Sequence, residues 1–237
     1  MLSKFGTEQI GISTEVALAD LTGIEVDHVY RRRGRENLVR HIQPALVPIV
    51  GEFPTPVAHV AEGQNPIDFE LRGGKTLSVK TNMQKLGKVA PQNIGQATSA
   101  TFWARFPNLV PKGVKIGSLP YQQSAKVFKQ VALSKTTELL EEYWKNLFDC
   151  DYLLYVFDVV DRDDNLTIQP QAKVFKKFQS PKWQKSKISF TKNSMNWNES
   201  CTVKYEDSSI GEFQIHNNRN CFKFRFNLSG LIQAGLL

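Results

Sequence analysis

Four side chains in residues 65–82 have the types and spacing that phosphodiester hydrolysis requires. Asp68 and Glu70 stand two positions apart, and Ser78 and Lys80 repeat that spacing further along. Hydrolysis of a phosphodiester needs carboxylates to hold Mg²⁺ and a cation to orient the attacking water and stabilise the developing charge. The segment therefore supplies the residue types of a metal-dependent hydrolytic site.

The surrounding residues predict that these side chains lie on one β-hairpin. Apolar and polar residues alternate on both sides of a Gly-Gly pair in residues 67–81. A connection of odd length, such as Gly73-Gly74-Lys75, pairs Asp68 with Lys80, whereas a two-residue turn pairs Asp68 with Val79. Polar residues on one face are also typical of any half-exposed sheet, so the predicted chemistry depends on the register.

A short motif runs through residues 65–80. It consists of Asn65-Pro66-Ile67-Asp68 and then Ser78-Val79-Lys80, followed by a basic segment that contains glutamines. This motif resembles the core of the PD-(D/E)XK nuclease superfamily and is most similar to its type II restriction endonucleases. The resemblance implies an α/β (α+β) fold with a restriction-endonuclease-like core, in which helices flank a mixed central β-sheet.

The resemblance also implies roles for individual residues. Asp68 corresponds to a metal ligand, Lys80 to the lysine that orients water, and the Val79 carbonyl to a further ligand of Mg²⁺. It implies in-line attack that leaves a 5′-phosphate and a 3′-hydroxyl.

One position departs from the superfamily pattern, because Ser78 stands where the second acid is expected. The missing carboxylate must come from upstream, since residues 82–136 contain no Asp or Glu. Glu70 is the first candidate, because an odd connection places it opposite Ser78. Glu15 is the second candidate, on the first helix, and Glu36 is the third.

Each of these acids also has a simpler structural explanation. Glu70 can form an ion pair with Arg72 or Lys75. Glu15 in the first turn of a helix stabilises the helix dipole, and Glu36 can pair with neighbouring arginines.

The charge of the chain indicates an anionic partner. Thirty Lys and Arg against 23 Asp and Glu give a formal charge of +7 and a pI near 9.3. Residues 171–192 hold seven lysines and no acid, although a solvated lysine face explains them equally well. We expect double-stranded DNA as the partner and a homodimer matched to a symmetric site. The predicted DNA-binding residues are Lys85, Lys88, Gln92, Gln96, Arg105, Lys182, Lys185, Lys223 and Arg225.

The elements that must position these residues are visible in the pattern of apolar residues. Helices are predicted from a cap at Ser13 or Thr14 to Gly23 and over residues 35–46, and a helical apolar stripe runs through residues 122–148. A buried strand is predicted at 152–160, beside the second strand of the hairpin. Another hairpin is predicted at 212–227. We expect one nuclease domain over residues 1–237, with 165–237 as a C-terminal subregion that contacts DNA.

Other function classes lack their motifs. The four histidines are scattered, and the glycine-rich motifs of nucleotide binding are missing, so a histidine metal site and a nucleotide cofactor are disfavoured. Three cysteines without metal-ligand spacing predict a cytoplasmic location, and no membrane segment is predicted. The alternatives are a repair nickase or structure-specific nuclease of the same fold, and a non-catalytic DNA-binding protein in which Ser78 marks a lost acid.

Overall fold

The fold is that of a computed structural model, which describes residues 4–61, 65–92, 94–176, 178–192 and 196–237, without the side chain of Ser118. Lys177, one of the seven lysines above, lies outside these residues. The helices are α1 (Thr7–Thr22), α2 (His28–Arg32), α3 (Glu36–Leu46), α4 (Ser99–Arg105), α5 (Tyr121–Ser134), α6 (Thr136–Leu147) and α7 (Leu228–Gln233). The strands are β1 (Pro56–His59), β2 (Phe69–Leu71), β3 (Lys75–Thr81), β4 (Lys88–Val89), β5 (Gln96–Thr98), β6 (Tyr152–Phe157), β7 (Gln171–Lys176), β8 (Ile188–Phe190), β9 (Ser200–Tyr205), β10 (Ser208–His216) and β11 (Cys221–Asn227).

The chain divides into two compact units, and two separate stretches of sequence build each of them. Unit 1 consists of Met1–Gly87 and Phe148–Phe178, and unit 2 consists of Lys88–Leu147 and Gln179–Leu237. The predicted C-terminal subregion, 165–237, contributes β7 to unit 1 and its remaining strands to unit 2. In the described part of the chain, no helix has the length and apolar character needed to cross a membrane.

Unit 1 is built around a mixed five-stranded sheet with the order β1-β2-β3-β6-β7. Strands β3 and β6 run parallel, and the other neighbouring pairs are antiparallel. Helix α1 packs on β3, and α3 packs on α1 and β7. The predicted mixed α/β architecture, with a mixed central sheet flanked by helices, is confirmed.

The buried strand beside the hairpin is also confirmed, since β6 pairs in parallel with β3 from Leu77 and Tyr152 onward. It ends at Phe157, three residues earlier than predicted. Asp158 then takes a positive φ of 54°, which ends the extended conformation of the strand.

Helix α1 begins at Thr7, so the predicted start at Ser13 or Thr14 is wrong. The start is stabilised by Gln9, whose Oε1 accepts a hydrogen bond from the Gly6 N–H at 3.2 Å. Ser13 and Thr14 are instead buried in the middle of the helix. Glu15 therefore lies two turns into α1, and the explanation of Glu15 as a first-turn residue fails with the predicted start.

The next two helices show what prolines and caps do in this chain. Helix α3 confirms the prediction for residues 35–46 to within one residue, although Pro44 lies inside its last turn and does not end it. Helix α2 was not predicted. It is short, and the Asp27 carboxylate caps it by accepting hydrogen bonds from the N–H groups of Val29 and Tyr30, both at 2.9 Å.

Unit 2 contains an antiparallel sheet with the order β4-β11-β10-β9-β8, and β5 also pairs with β11. The predicted hairpin over 212–227 is confirmed, with His216 opposite Cys221 at its end. The predicted helical stripe forms two helices, α5 and α6, which are separated at Lys135.

The core of unit 2 is largely aromatic. Phe222 of β11 stacks on Phe128 of α5 with ring centroids 4.3 Å apart, and Phe224 stacks on Tyr143 of α6 at 4.4 Å. These rings are buried, so the aromatic residues of the helices serve packing. The alternate residues of β11 leave their polar side chains on the other face of the sheet.

Candidate active site

The β2–β3 hairpin determines what faces Asp68. The connection consists of three residues, 72–74, and the paired register runs from Leu71 opposite Lys75 to Phe69 opposite Leu77. The Asp68 N–H then donates to the Leu77 carbonyl at 3.0 Å, which places Asp68 beside Leu77 and Ser78. The predicted odd length is thus correct, which keeps Asp68 and Lys80 on the same face. The predicted pairing of Asp68 with Lys80 is wrong by two residues, as is the pairing of Glu70 with Ser78, because Glu70 faces Thr76.

The shift has a physical cause at the start of β6. Asp151 accepts hydrogen bonds from the Lys75 ammonium at 2.8 Å and from the Thr76 N–H at 3.0 Å. These bonds hold Lys75 in strand β3, whereas the sequence prediction placed it in the turn. Gly73 and Gly74 then make the turn with φ values of +78° and +69°, which other residues rarely adopt.

The Asp68 carboxylate is buried and held through one of its two oxygens. Its Oδ2 accepts a hydrogen bond from the Val79 N–H at 2.5 Å and lies 3.8 Å from the Lys80 ammonium. The Ser78 hydroxyl lies 3.2 Å from Oδ2 and 2.9 Å from the Pro66 carbonyl, and it can donate to one of them at a time. Within the described residues, no hydrogen bond reaches Oδ1.

Burial raises the pKa of Asp68 to about 6. The Lys80 ammonium and the hydrogen bonds from Val79 and Ser78 act in the opposite direction, and the nearby Glu15 carboxylate adds to the rise. Asp68 is thus a carboxylate whose charge is only partly compensated by the protein. A cation beside it would favour its ionised form.

Glu15 approaches the same place from helix α1. It is 6% exposed, and its Oε2 accepts a hydrogen bond from the Tyr30 hydroxyl at 2.7 Å. The His59 Nε2 lies 2.9 Å from the same oxygen, and it acts as a donor there because an ionised carboxylate only accepts. Both partners use Oε2, so Oε1 receives no hydrogen bond from the described residues.

Tyr30 and His59 are site residues that the sequence analysis missed. Burial and the Glu15 carboxylate raise the pKa of Tyr30, so its hydroxyl remains a donor. The rings of Tyr30 and Phe69 both meet His59 edge to face, with centroids 4.8 Å and 5.1 Å away. The available signal was a polar residue in the short apolar run Val57-Ala58-His59-Val60, which forms most of β1.

The other two candidate acids lie in different surroundings. Glu70 lies two residues after Asp68 but is exposed, and it is not among the main influences on the pKa of Asp68. Lys75, which could have paired with Glu70, pairs with Asp151. Glu36 forms a local ion pair with Arg40, one turn further along α3, which is not one of the arginines that precede it. Glu15 is therefore the acid that burial and electrostatics bring to Asp68.

A thiol also borders the cluster. Burial raises the pKa of Cys150 to about 12, while the Lys80 ammonium and a backbone group of Ser78 act in the opposite direction. Cys150 is therefore protonated at neutral pH.

Whether these residues fit Mg²⁺ can be judged from their oxygens. The described residues contain no group of three or more His, Cys, Asp or Glu arranged around a metal position. Unit 1 contains two buried carboxylates, Asp68 and Glu15, and each has an oxygen that receives no hydrogen bond from the described residues. The Val79 carbonyl points to the same side of β3 as the N–H that binds Asp68, since both groups of a strand residue face one neighbour. Mg²⁺ is commonly held by one or two carboxylates with water and phosphate oxygens, so these residues fit it.

The predicted DNA-binding residues lie mostly in unit 2. On its sheet, Lys88 and Arg225 both bind the buried Glu212 carboxylate, at 2.8 Å and 2.9 Å, so their charges are partly neutralised. Gln96 of β5 stands opposite Lys223 of β11. The others lie elsewhere: Lys85 follows β3 in unit 1, Gln92 lies between β4 and β5, Arg105 ends α4, and Lys182 and Lys185 precede β8.

The two units differ in charge. Unit 2 has 16 Lys and Arg against 7 Asp and Glu, a formal charge of +9, whereas unit 1 has 14 against 16, a charge of −2. The positive charge that suggested a nucleic-acid partner therefore belongs to unit 2.

Two buried carboxylates and a lysine on a mixed α/β unit form a candidate hydrolytic centre. Among curated proteins, the chain is similar to the type II restriction enzyme CviAII of Paramecium bursaria Chlorella virus 1, with 31% identity over 193 residues. The alignment covers 81% of this chain and 50% of CviAII, so the chain spans half the length of that relative. No family model and no solved structure matches the chain. The similarity supports a relationship between this chain and restriction endonucleases.

Proposed function

We propose that the chain is a Mg²⁺-dependent, sequence-specific double-stranded DNA endonuclease of the type II restriction class, with a PD-(D/E)XK core. The observation that carries this proposal is the cluster of Asp68, Glu15 and Lys80 on the mixed sheet of unit 1. The similarity to CviAII supports the substrate, and the charge of unit 2 supports binding to a polyanion.

The metal ligands in this proposal are the two carboxylate oxygens that receive no hydrogen bond from the described residues, together with one backbone carbonyl. Asp68 provides Oδ1, Glu15 provides Oε1, and the Val79 carbonyl adds a third oxygen from β3. Glu15 thus replaces the acid that is missing at Ser78, and Glu70 is the alternative donor. Bound Mg²⁺ would supply Lewis acidity at the scissile phosphate and lower the pKa of a coordinated water.

Lys80 orients the attacking water and stabilises the charge that develops on the phosphate. Its ammonium lies 3.8 Å from Asp68 and its side chain is 14% exposed, so the lysine is kept beside the carboxylate at the edge of the cluster. The Ser78 hydroxyl keeps a hydrogen-bond donor next to Asp68. In-line attack then yields a 5′-phosphate and a 3′-hydroxyl.

The remaining parts of the proposal concern the DNA. The basic residues of unit 2, with Lys85 of unit 1, contact the phosphates. A homodimer in the cytoplasm presents two such sites to a symmetric sequence, and each site cuts one strand.

The test is digestion of plasmid and phage DNA by the full chain in Mg²⁺ and in EDTA. Discrete fragments that require Mg²⁺ are expected. The variants Asp68→Asn and Lys80→Met should lose cleavage by on the order of a thousandfold or more, because each removes several kcal/mol of transition-state stabilisation. Both should still bind DNA.

The matched control is Lys176→Met, which removes an exposed lysine from β7 of the same unit and should leave cleavage intact. Full activity of Asp68→Asn or Lys80→Met would refute the site. Nicks without fragments would instead identify the nickase or structure-specific nuclease. DNA binding without any cleavage would identify the non-catalytic protein.

A further inference from the structure

The tip of the β10–β11 hairpin in unit 2 consists of residue types that recognise bases. The connection is Asn217-Asn218-Arg219-Asn220, and all four residues are exposed. Asn can form two hydrogen bonds with adenine in the major groove, and Arg can form two with guanine. The tip therefore offers amide and guanidinium groups on one short turn.

The geometry of the turn explains only one of these residues. Asn220 has a φ of +48°, which asparagine tolerates better than most residues. Residues 217–219 form a 3₁₀ turn, for which most polar residues would serve. Within the described part of the chain, no hydrogen bond or ion pair holds the side chains of Asn217, Asn218 and Arg219, so they are available to a ligand.

The backbone of the tip is anchored from two helices. The Tyr121 hydroxyl, at the start of α5, lies 3.2 Å from the carbonyls of both His216 and Cys221, which frame the turn. At the start of α4, the Ser99 N–H donates to the Asn220 carbonyl at 2.9 Å. A turn whose backbone is fixed in this way loses little conformational entropy when it binds a ligand.

The tip extends beyond the neighbouring strands. The last pair with β9 joins Gln214 to Ser200, and the last pair with β5 joins Cys221 to Thr98. Residues 217–220 therefore lie past the last paired residues of β9 and β5, as an exposed turn at the end of the hairpin.

Positive charges accumulate around the base of the tip. Burial lowers the pKa of His216, and Lys223, Arg219 and Arg225 lower it further, while Glu199 alone acts in the opposite direction. Cations that lie close together repel each other, and a bound anion offsets this repulsion. Duplex DNA provides such anions as a dense row of phosphates.

We propose that Asn217, Asn218 and Arg219 read base edges in the major groove of duplex DNA and determine the sequence at which the chain binds. This inference rests on the proposed function, since it assigns the specificity of that endonuclease to unit 2. Arg219 forms hydrogen bonds with a guanine, and each of the two asparagines forms hydrogen bonds with an adenine.

The experiment selects 30-base-pair duplexes from a random library with the full-length Asp68→Asn chain in Mg²⁺, and repeats the selection with further changes at the tip. Arg219→Lys keeps the charge but removes the planar fork that contacts guanine through two bonds. It should lose the preference at one G·C pair and bind the selected sequence about 10- to 100-fold more weakly. Its affinity for unrelated duplex should remain within about twofold. Asn218→Ala should relax one A·T position in the same way.

The control is Arg72→Lys, the same change at an exposed arginine of unit 1, which should select the original sequence. The variants should keep the melting temperature of the parent, because the altered side chains are exposed. Selection of the original sequence with undiminished affinity by both Arg219→Lys and Asn218→Ala would overturn the proposal. A parent chain that selects no sequence would overturn both this inference and the sequence specificity in the proposed function. If a sequence is selected but the chain with Asp68 restored does not cut it, the proposed nuclease activity is wrong, and the role of the hairpin tip in recognition is supported.

Discussion

The two units of this chain contrast in how they treat charge. Unit 1 carries a formal charge of −2 and buries both Asp68 and Glu15, and the repulsion between the two carboxylates raises the pKa of Asp68. Unit 2 carries +9 and buries one carboxylate, Glu212, under two cationic side chains and an amide. The acid of unit 2 is thus satisfied by the protein, and the acids of unit 1 are only partly satisfied.

This difference distinguishes Glu212, a carboxylate that stabilises the fold, from Asp68, a carboxylate that is suited to chemistry. The hydrogen bonds from Lys88 and Arg225 outweigh burial and lower the pKa of Glu212, so it is ionised and needs no further partner. The pKa of Asp68 is raised because burial outweighs Lys80. Carboxylates that remain under-compensated inside a protein are the ones suited to hold a cation or move a proton. Burial of an acid alone would not have distinguished the two units.

The largest expected effect concerns the choice between the two acids near Asp68. Glu15→Gln keeps the shape of the side chain but removes a proposed metal ligand, and cleavage at low millimolar Mg²⁺ should fall by on the order of a hundredfold. Glu70→Gln is the matched control at the exposed middle residue of β2, and it should cleave normally. The measurement is the initial rate of plasmid cleavage at increasing Mg²⁺. The reverse ranking of the two variants would transfer the ligand role to Glu70.

The second prediction concerns stability, and its sign follows from the pKa of Asp68. The pKa is about 6 in the folded chain and 3.8 in the unfolded chain, so the folded state holds the proton more tightly. Asp68 therefore favours folding most at pH values below 4, and this contribution is lost as the pH rises from about 4 to about 6. Because a difference of one in pKa between the folded and unfolded chain corresponds to about 1.36 kcal/mol, the free energy of unfolding should fall by about 3 kcal/mol.

Urea unfolding of the parent chain and Asp68→Asn in EDTA, between pH 4 and pH 7, measures this effect. The variant has no titrating group at this position, so its stability relative to the parent should improve as the pH rises. A constant difference across this range would show that the pKa of Asp68 is normal and that the contrast with Glu212 is wrong.

The sequence predicted those parts of unit 1 that depend on local pattern. The alternation around Gly73 and Gly74 indicated the hairpin and placed Asp68 and Lys80 on one face. The exact register depended on Asp151, which is 75 residues away from Thr76 and which holds Lys75 in the strand. A contact of that range leaves no signal in the spacing of a single sequence.

The surroundings of Glu15 were not predictable for a related reason. The start of α1 was misplaced because Ser13 and Thr14 have the residue types of a cap, yet the structure buries both of them inside the helix. Tyr30 and His59 meet Glu15 only because α2 and β1 pack against α1, and neither element was predicted. In unit 2, by contrast, the spacing of the apolar residues was sufficient to predict the helical region and β11, because those apolar residues form the core of the unit.

A smaller effect concerns the contribution of each unit to DNA affinity. The double variant Lys182→Ala/Lys185→Ala in unit 2 should weaken binding to unrelated duplex by about tenfold at moderate salt, and reduce the slope of log affinity against log salt by about 0.9 for each phosphate that is no longer neutralised. Arg32→Ala/Arg72→Ala removes the same charge from exposed positions of unit 1 and should change the slope little. Fluorescence anisotropy at several salt concentrations measures both. Equal slopes for the two variants would show that the units share the phosphate contacts.

The smallest expected effect concerns the groups that hold Glu15. Tyr30→Phe removes the hydroxyl that binds Oε2 at 2.7 Å and leaves His59 as the remaining donor to that oxygen. The carboxylate should then be less firmly oriented, which should raise the Mg²⁺ concentration for half-maximal cleavage about three- to tenfold with little change in the rate at saturation. Tyr205→Phe removes a hydroxyl from a buried tyrosine of unit 2 and serves as the matched control. A change in the saturated rate alone, with the same Mg²⁺ dependence, would mean that Tyr30 acts on the reaction by a route other than Glu15. An unchanged Tyr30→Phe enzyme would mean that His59 alone is sufficient to orient this carboxylate.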